Sequence, residues 1–285
     1  MNKKGTLYIV ATPIGNLDDI SRRAIDVLNA VDLIAAEDTR HSQKLLQAMQ
    51  ISTPVVSHHD FSSSSAIDRV LAKLSSGRSI ALISDAGTPL ISDPGYRLVS
   101  MARQQNLAVV PIPGASALIS ALCVSGLATD SFAFEGFLPS KSAARQKKLK
   151  ALASEQRTLV FYESTHRIVA SLADMAVAFG EQRQIFIARE LTKRFESHFL
   201  GCAQACVDWI TADVQQQKGE FVIVVSGSEQ IDEEQRRHEQ ALDIVRLLRA
   251  EVSMKKAVTL ATKISGARKN QVYEAALKEF SEEQQ

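Results

Sequence analysis

The chain has 285 residues, with 33 Lys and Arg against 32 Asp and Glu and a formal net charge of +1. At 45% hydrophobic and 23% charged residues it has the balance of an ordinary globular protein, which excludes collagen-like, disordered and supercharged classes. At roughly 150 residues per domain, this length suggests two domains, or two plus an appendage. No apolar run approaches the ~20 residues that a membrane-spanning helix needs. The start, MNKKGTLYIV, lacks the longer apolar stretch and small-residue cleavage site of a signal peptide, so the expectation is a cytoplasmic protein without membrane attachment. Three cysteines, Cys123, Cys202 and Cys206, have no second pair or His cluster to complete a zinc site, and apolar filling is their expected role.

In chain order, short β-branched runs alternate with helical patterns: LYIVAT, ISRRAIDVLNAV, VDLIAAE, HSQKLLQAM, PVVS, a helix around AIDRVLAKL, SIALIS, PGYRLVSMARQQ and LAVVPI. Nearly continuous apolar strands separated by helices predict a parallel sheet covered on both faces. A helix starting near Gly114 and ending by Gly126 leads into FAFEGF, TLVFYE, QIFIARE, SHFLG and EFVIVVSG, with helices expected over 145–152, 167–179 and 202–211. Closer strand spacing from Ile185 to Gly201 predicts antiparallel pairing and a mixed sheet. SEQIDEEQRRHEQ has no apolar face before Ala241 and reads as a linker or an exposed helix start. A helical tail with a turn at Gly266 follows, laid out like a helix-turn-helix or any αα-hairpin. The fold class is therefore α/β, with domains expected over 1–114 (parallel sheet), 115–228 (mixed sheet) and 229–285 (basic helical tail).

Functional groups in a parallel sheet collect at the carboxyl ends of strands, here TPIGN, EDTRH, SHHD, SDAGTP and PIPGAS. No G-x-G-x-x-G follows the first strand and no G-x-x-x-x-G-K-[ST] occurs, which argues against ordinary dinucleotide and P-loop binding. In their place stand Gly/Pro loops: Asp85 closes the fourth strand, Gly87 permits a tight turn, and Ser116 opens a helix whose free N–H groups could meet a ligand. Each such loop taken singly also reads as a tight β-α connection. Two basic segments stand out in a neutral chain. One is KSAARQKKLK, with Lys141, Arg145, Lys147, Lys148 and Lys150 and no acid. The other is the tail from Arg246 to Lys269, where Arg246, Arg249, Lys255, Lys256, Lys263, Arg268 and Lys269 face only Glu251. Phosphate contacts need such surfaces, although either run also reads as a solvated helix face.

ATPIGNLDDI, AAEDTRHS, SDAGTPLISDPG, PIPGASA, FEGFLP, FYESTHR and ARELTK, in this order over residues 7–227, resemble the tetrapyrrole (corrin/porphyrin) methylase superfamily. Within it they are similar to the branch acting on ribosomal RNA: SDAGTP stands where porphyrin methylases carry a G-D-P loop, and TPIGN with EDTRH is characteristic of that branch. The resemblance implies two α/β domains facing a cleft that holds a folded S-adenosylmethionine, in a homodimer. It also implies methylation of a ribose 2′-oxygen at cytidine 1402 of 16S rRNA, in the small ribosomal subunit. Carried over motif by motif, the implied cofactor loops are Thr12 and Pro13; Asp85, Gly87 and Thr88; Ser116 and Ala117; and Tyr162 and Glu163. Lys218, Gly219 and Glu220 are a weaker addition.

A 2′-hydroxyl is a poor nucleophile, so a base or a positive charge near the developing alkoxide should help. The expected catalytic set is Glu190 and Lys193 of ARELTK with Glu37 and Arg40 of EDTR. His58, His59, Asp60, His166 and Arg167 are further polar residues at strand ends. Any of them singly also reads as a cap, a surface pair or a buried ion pair. The expected RNA contacts are Lys141, Arg145, Lys147, Lys148, Lys255, Lys256, Arg268 and Lys269. Sulfonium methyl transfer needs no Lewis acid, and no metal is expected. Two other readings stay open: a small-molecule tetrapyrrole methylase, and a non-catalytic RNA-binding assembly factor.

Overall fold

The computed structural model describes residues 4–58, 64–228, 233–249 and 251–282. The chain divides into two compact units, Met1–Ser228 and Glu229–Gln285. The larger unit holds two five-stranded sheets.

The first sheet is built from β1 (Thr6–Val10), β2 (Leu33–Ala36), β3 (Val55–Ser57), β4 (Ile80–Ile83) and β5 (Ala108–Ile112), in the order β3-β2-β4-β1-β5. Every pairing is parallel, as the unbroken apolar strands predict. Because successive side chains point to opposite faces, LIAA and IALI each feed two cores. Leu33, Ala35, Ile80 and Leu82 pack on α3 (Ser64–Ser75) and α4 (Tyr96–Gln104) through Val70, Leu74, Leu98 and Ala102. Ile34, Ala36, Ala81 and Ile83 pack on α1 (Arg22–Ala30) and α2 (Thr39–Ala48) through Ala24, Leu28 and Leu46. Burial on both faces leaves the strand ends as the place for polar chemistry. β4 stops at Ile83, so Asp85 lies in the loop beyond it.

The second sheet comprises β6 (Phe132–Phe137), β7 (Thr158–Ser164), β8 (Gln184–Arg189), β9 (Ser197–Cys202) and β10 (Glu220–Val225), in the order β6-β7-β10-β8-β9. β6 and β7 are parallel and the other pairs antiparallel, the mixed sheet expected from the short β8–β9 spacing. One face packs on α6 (Ser142–Leu152), α7 (Ile168–Phe179) and α8 (Ala203–Ala212) around Phe161, Leu172, Ile187, Cys206 and Ile223. The other is covered by α5 (Ala117–Val124) through Leu118, Ala121 and Leu122. Cys206 fills the core as expected; burial, with Cys202 beside it, pushes its thiol up to about 12. Cys123 is exposed and fills nothing.

The smaller unit packs α9 (Glu233–Leu248), α10 (Met254–Ser265) and α11 (Lys269–Glu282) around Ala241, Val245, Val258, Ala261, Val272 and Ala276. The polar run before Ala241 is therefore helical from Glu233 onward. Gly266 caps α10 in the left-handed region (φ 74°), which makes the turn read from the sequence.

One basic residue of α6 does not face solvent. Arg145 is 4% exposed, and its Nε lies 2.6 Å from Asp174 Oδ2, while Gln146 and Ser142 donate to the same carboxylate. This corrects the expected phosphate contact: Arg145 faces inward because α6 is anchored to α7 through this pair. Removing one partner of such a pair leaves an uncompensated buried charge, so Asp174→Ala should cost about 3–5 kcal/mol in urea unfolding. A loss under about 1 kcal/mol, the range of an exposed pair, would contradict the burial.

Candidate active site

In a parallel sheet the loops after each strand share one edge, and here hydrogen bonds bind them together. Thr12 and Gly87 exchange backbone bonds (Thr12 N to Gly87 O 2.9 Å, Gly87 N to Thr12 O 3.1 Å), which joins the loops after β1 and β4. Gly87 has φ 81°, the left-handed region that favours glycine, and a Cβ there would also press on Ile14 at 3.2 Å. Thr88 Oγ1 donates to Ala115 O at 3.0 Å, adding the loop after β5. Asp85 Oδ1 accepts from the N–H of Asp38 at 3.1 Å, adding the loop after β2.

Beside these loops lies a cavity of about 600 Å3, within the range of small-molecule sites. The first sheet contributes Ile14, the Ala86–Thr88 turn and Ile91, Ser92 and Asp93, and the start of α5 contributes Ser116 and Ala117. The second sheet supplies a row in register across four strands: Phe137 opposite Tyr162, Tyr162 opposite Val222, Val222 opposite Ala188, all lining the cavity. Phe134 and Phe137 meet the Tyr162 ring edge-on, with centroids 4.8 and 5.7 Å away. The Tyr162 hydroxyl accepts from Leu118 N–H in the first turn of α5. Burial, against that bond and reinforced by Asp93, pushes its phenol up, so Tyr162 is a neutral group here.

The far end of the row carries charge. Lys193 Nζ donates to Glu190 Oε1 at 2.9 Å and to Glu220 Oε2 at 2.8 Å, and Glu220 N–H donates to the same Glu190 oxygen at 2.9 Å. Burial opposes the charged form of Glu190, but Glu220 N–H and Lys193 outweigh it and hold the carboxyl below its usual range. Burial likewise opposes the Lys193 ammonium, and the two carboxylates outweigh it and raise the amine. Glu190 and Lys193 are therefore both ionised throughout neutral pH. Six described non-glycine residues have positive φ. Gln50 and Asn106 follow α2 and α4, whereas Leu90, Ser92, Glu190 and Thr192 sit in two loops that border this cavity. Such conformations persist only where surroundings over-determine them.

Of the cofactor residues carried over from the motifs, Gly87, Thr88, Ser116, Ala117, Tyr162 and Glu163 line the cavity, while Thr12, Pro13 and Asp85 are outside its lining. Thr12 is buried, its hydroxyl turned to Ser84 O and Gly87 O, and it braces the loops from behind. The Glu163 side chain is wholly buried and its carboxylate takes three donors from its own chain: Ser164 N, Arg167 Nε and Ser171 Oγ. It is thus a structural anchor for α7 rather than a charge facing a ligand. Glu190 and Lys193 line the cavity; Glu37 and Arg40 do not, and Arg40 extends into solvent with its side chain 93% exposed. His166 lines the cavity, and His58 is buried at the end of β3. His59 and Asp60 lie outside the described residues. Asp93 and Phe137 were missed as site residues, although SDAGTPLISDPG and FEGFLP contain them; nothing in the spacing separates them from ordinary loop and strand-end residues.

The basic segments are also redrawn. On α6, Lys141, Lys147 and Lys150 are exposed, but Lys148 is half-buried against Glu135, whose carbonyl (2.8 Å) and carboxylate (3.1 Å) it meets. In the smaller unit, Arg246 pairs with Glu279 (2.6 Å) and Asp243 (2.7 Å), and Arg249 stacks 4.0 Å over the Phe280 ring. Lys255, Lys256, Lys263, Arg268 and Lys269 remain on the surface.

Residues 6–206 match the family Tetrapyrrole (Corrin/Porphyrin) Methylases, and residues 237–279 match the RsmI C-terminal HTH domain. A protein of Pseudomonas aeruginosa named ribosomal RNA small subunit methyltransferase I is 50% identical, over 96% of this chain and 97% of its own length. The protein of that name from Escherichia coli O157:H7 is 48% identical over 98% and 96%. Among solved structures, the cobalamin biosynthetic enzyme cobalt precorrin-4 methyltransferase has a TM-score of 0.58 at 14% identity, covering 78% of this chain and 94% of its own. Uroporphyrin-III C-methyltransferase of Thermus thermophilus, complexed with S-adenosylhomocysteine, has a TM-score of 0.54 at 16% identity, covering 77% and 97%. With residues 6–206 matching its model, the chain belongs to the tetrapyrrole methylase family and is a methyltransferase.

Proposed function

We propose that this enzyme transfers the methyl group of S-adenosylmethionine to the ribose 2′-oxygen of cytidine 1402 in 16S rRNA. The observation that carries the reading is the near-full-length identity to small-subunit rRNA methyltransferases, tail included, joined to a cavity lined by both sheets. The tetrapyrrole reading rests on structures at 14–18% identity, which speak for the fold alone. The same reading has the enzyme acting in the cytoplasm, as a homodimer, on rRNA of the small ribosomal subunit. Among the described residues, no helix is long and apolar enough to cross a membrane.

The residues present suit the cofactor. Gly87 and the start of α5 offer backbone groups at close range, Tyr162 and Phe137 offer ring surface, and Glu190 and Glu220 offer negative charge at the far end. When bound, S-adenosylmethionine supplies a methyl carbon made electrophilic by its sulfonium. The chain's contribution is to align the acceptor oxygen with that carbon and to exclude water, for which Ile14, Ile91, Leu191 and Val222 line the walls. Lys193 is a fixed cation placed to stabilise charge developing on the acceptor oxygen. Glu190 can take the hydroxyl proton, but its own hydrogen bonds weaken it as a base. Alignment and charge therefore account for more of the rate than proton abstraction does.

Incubation with methyl-labelled S-adenosylmethionine and small subunits, naked 16S rRNA or uroporphyrinogen tests the reading. Label is expected in 2′-O-methylcytidine at the proposed position; label in the tetrapyrrole, or in a base, would overturn it. In single-turnover assays Lys193→Met should lose about 100- to 1,000-fold in rate with cofactor and RNA affinity retained. Glu190→Gln should lose less; an equal loss would restore Glu190 as the principal base. Because the carboxyl is held low and the amine high, this pair should add no inflection to the rate between about pH 5 and 10.

The tail supplies the RNA part. Neutralising Lys255, Lys256, Arg268 and Lys269 to Ala in the full chain should weaken RNA binding and flatten its salt dependence. The slope should fall by about 0.7–0.9 per lost phosphate contact, with cofactor affinity unchanged. Equal affinity for RNA at several salt concentrations would leave these residues without a phosphate contact.

A further inference from the structure

Lys193 belongs to a loop of the second sheet, yet its stem rests against a loop of the first. A Cβ placed on Gly15, in the TPIGN loop after β1, would overlap Cγ of Lys193 and come within 3.0 Å of its Cε and 3.1 Å of Thr192 Oγ1. Cγ is near the root of the side chain, and the ammonium at the other end is fixed by Glu190 and Glu220, so the lysine cannot swing aside without breaking that anchoring. Gly15 carries no positive φ, so the contact, and not backbone conformation, is what forbids a side chain there. A second glycine does the same for the carboxylate: a Cβ on Gly219 would come within 2.5 Å of Glu190 Cγ and 2.7 Å of its Cδ and Oε1. Glu190 and Thr192 hold left-handed backbone angles, 52° and 65°, which aim this loop between the two glycines.

We propose that Gly15 is a positioning residue for the methyl transfer: its bare Cα is the seat that sets Lys193 at the cavity, while Gly219 seats Glu190 from the opposite side. The first sheet thereby fixes the cation of the second, and the site is assembled only when the TPIGN loop lies against the ELTK loop. This rests on the role given to Lys193 above. Gly15→Ala is the cleaner probe, because a substitution at Gly219 (φ 108°) would add backbone strain of its own.

The test compares Gly15→Ala, Lys193→Ala and the double variant in single-turnover methylation, with melting temperature, cofactor affinity and RNA affinity measured alongside. Displacement of the cation by about 1 Å should slow Gly15→Ala on the order of 100-fold with both affinities retained. Lys193→Ala removes the Cγ that Gly15 faces. Adding Gly15→Ala to it should therefore cost no further activity, whereas a purely structural glycine would give additive losses. A wild-type rate in Gly15→Ala, or additive losses in the double variant, would overturn the proposal. If Gly15→Ala fails to fold, the double variant should fold, since the overlap with Lys193 is gone and only the 3.1 Å approach to Thr192 Oγ1 is left to relax; failure of both would also overturn it. A wild-type rate in Lys193→Ala would instead refute the role of Lys193 itself, an outcome distinct from an active Gly15→Ala beside a crippled Lys193→Ala.

Discussion

The central strands of both sheets in the larger unit are buried on both faces, and the position of most of the polar groups follows from that constraint. Strands such as Ile80–Ile83 and Leu33–Ala36 have no residue to spare for solvent. An uncompensated charge inside them would cost several kcal/mol. Chemistry is thus confined to strand ends, and the parallel pairing of the first sheet gathers its ends on one edge. The Thr12–Gly87 exchange and the Thr88–Ala115 bond then lock these loops into a surface against which the second sheet presents the row from Phe137 to Ala188.

This constraint also explains what could be read in advance. Nearly continuous apolar runs with intervening helices give the parallel sheet, and the short interval between Ile185 and Gly201 gives the antiparallel pairs, because both are local patterns. Direction around a helix is a tertiary matter. Arg145 stands in a run of lysines and reads as one more surface cation, but Asp174, 29 residues away in the chain, draws it inward. Arg246 is likewise taken up by Glu279, 33 residues away. The resemblance puts Glu163 among the cofactor residues, yet strand-end carboxylates also anchor helices, and here Ser171 and Arg167 both hold this one.

Motif and geometry divide the work differently at Gly15. In the sequence TPIGN is a loop with a proline and a glycine, and nothing in it names Lys193 as the neighbour. The requirement for glycine arises only from packing, 178 residues along the chain, and has no periodicity to betray it. A cavity built from loops of two sheets depends on such cross-sheet fits, because its charged residues have few local constraints of their own. The left-handed angles at Glu190 and Thr192 fit the same account: the loop adopts them where neighbours on both sides leave no alternative.

The charge balance of the trio fits the proposed reaction better than a strong base would. Two carboxylates against one ammonium leave the cluster net negative, which suits a cationic donor, while the ammonium stays available to the acceptor oxygen. In the proposed transfer the sulfonium becomes a neutral thioether and the hydroxyl gives up its proton, which passes to solvent water, so the positive charge leaves the cavity with that proton. A fixed ion cluster meets the sulfonium and the developing charge on the acceptor oxygen without reorganising, which is the property that makes preorganised electrostatics effective. A carboxylate tuned to a high proton affinity would have to be protonated part of the time, and in that state it would leave Lys193 held by Glu220 alone. Holding Glu190 ionised before the transfer keeps the cation in place as charge develops on the acceptor oxygen, with alignment of donor and acceptor left as the main source of rate.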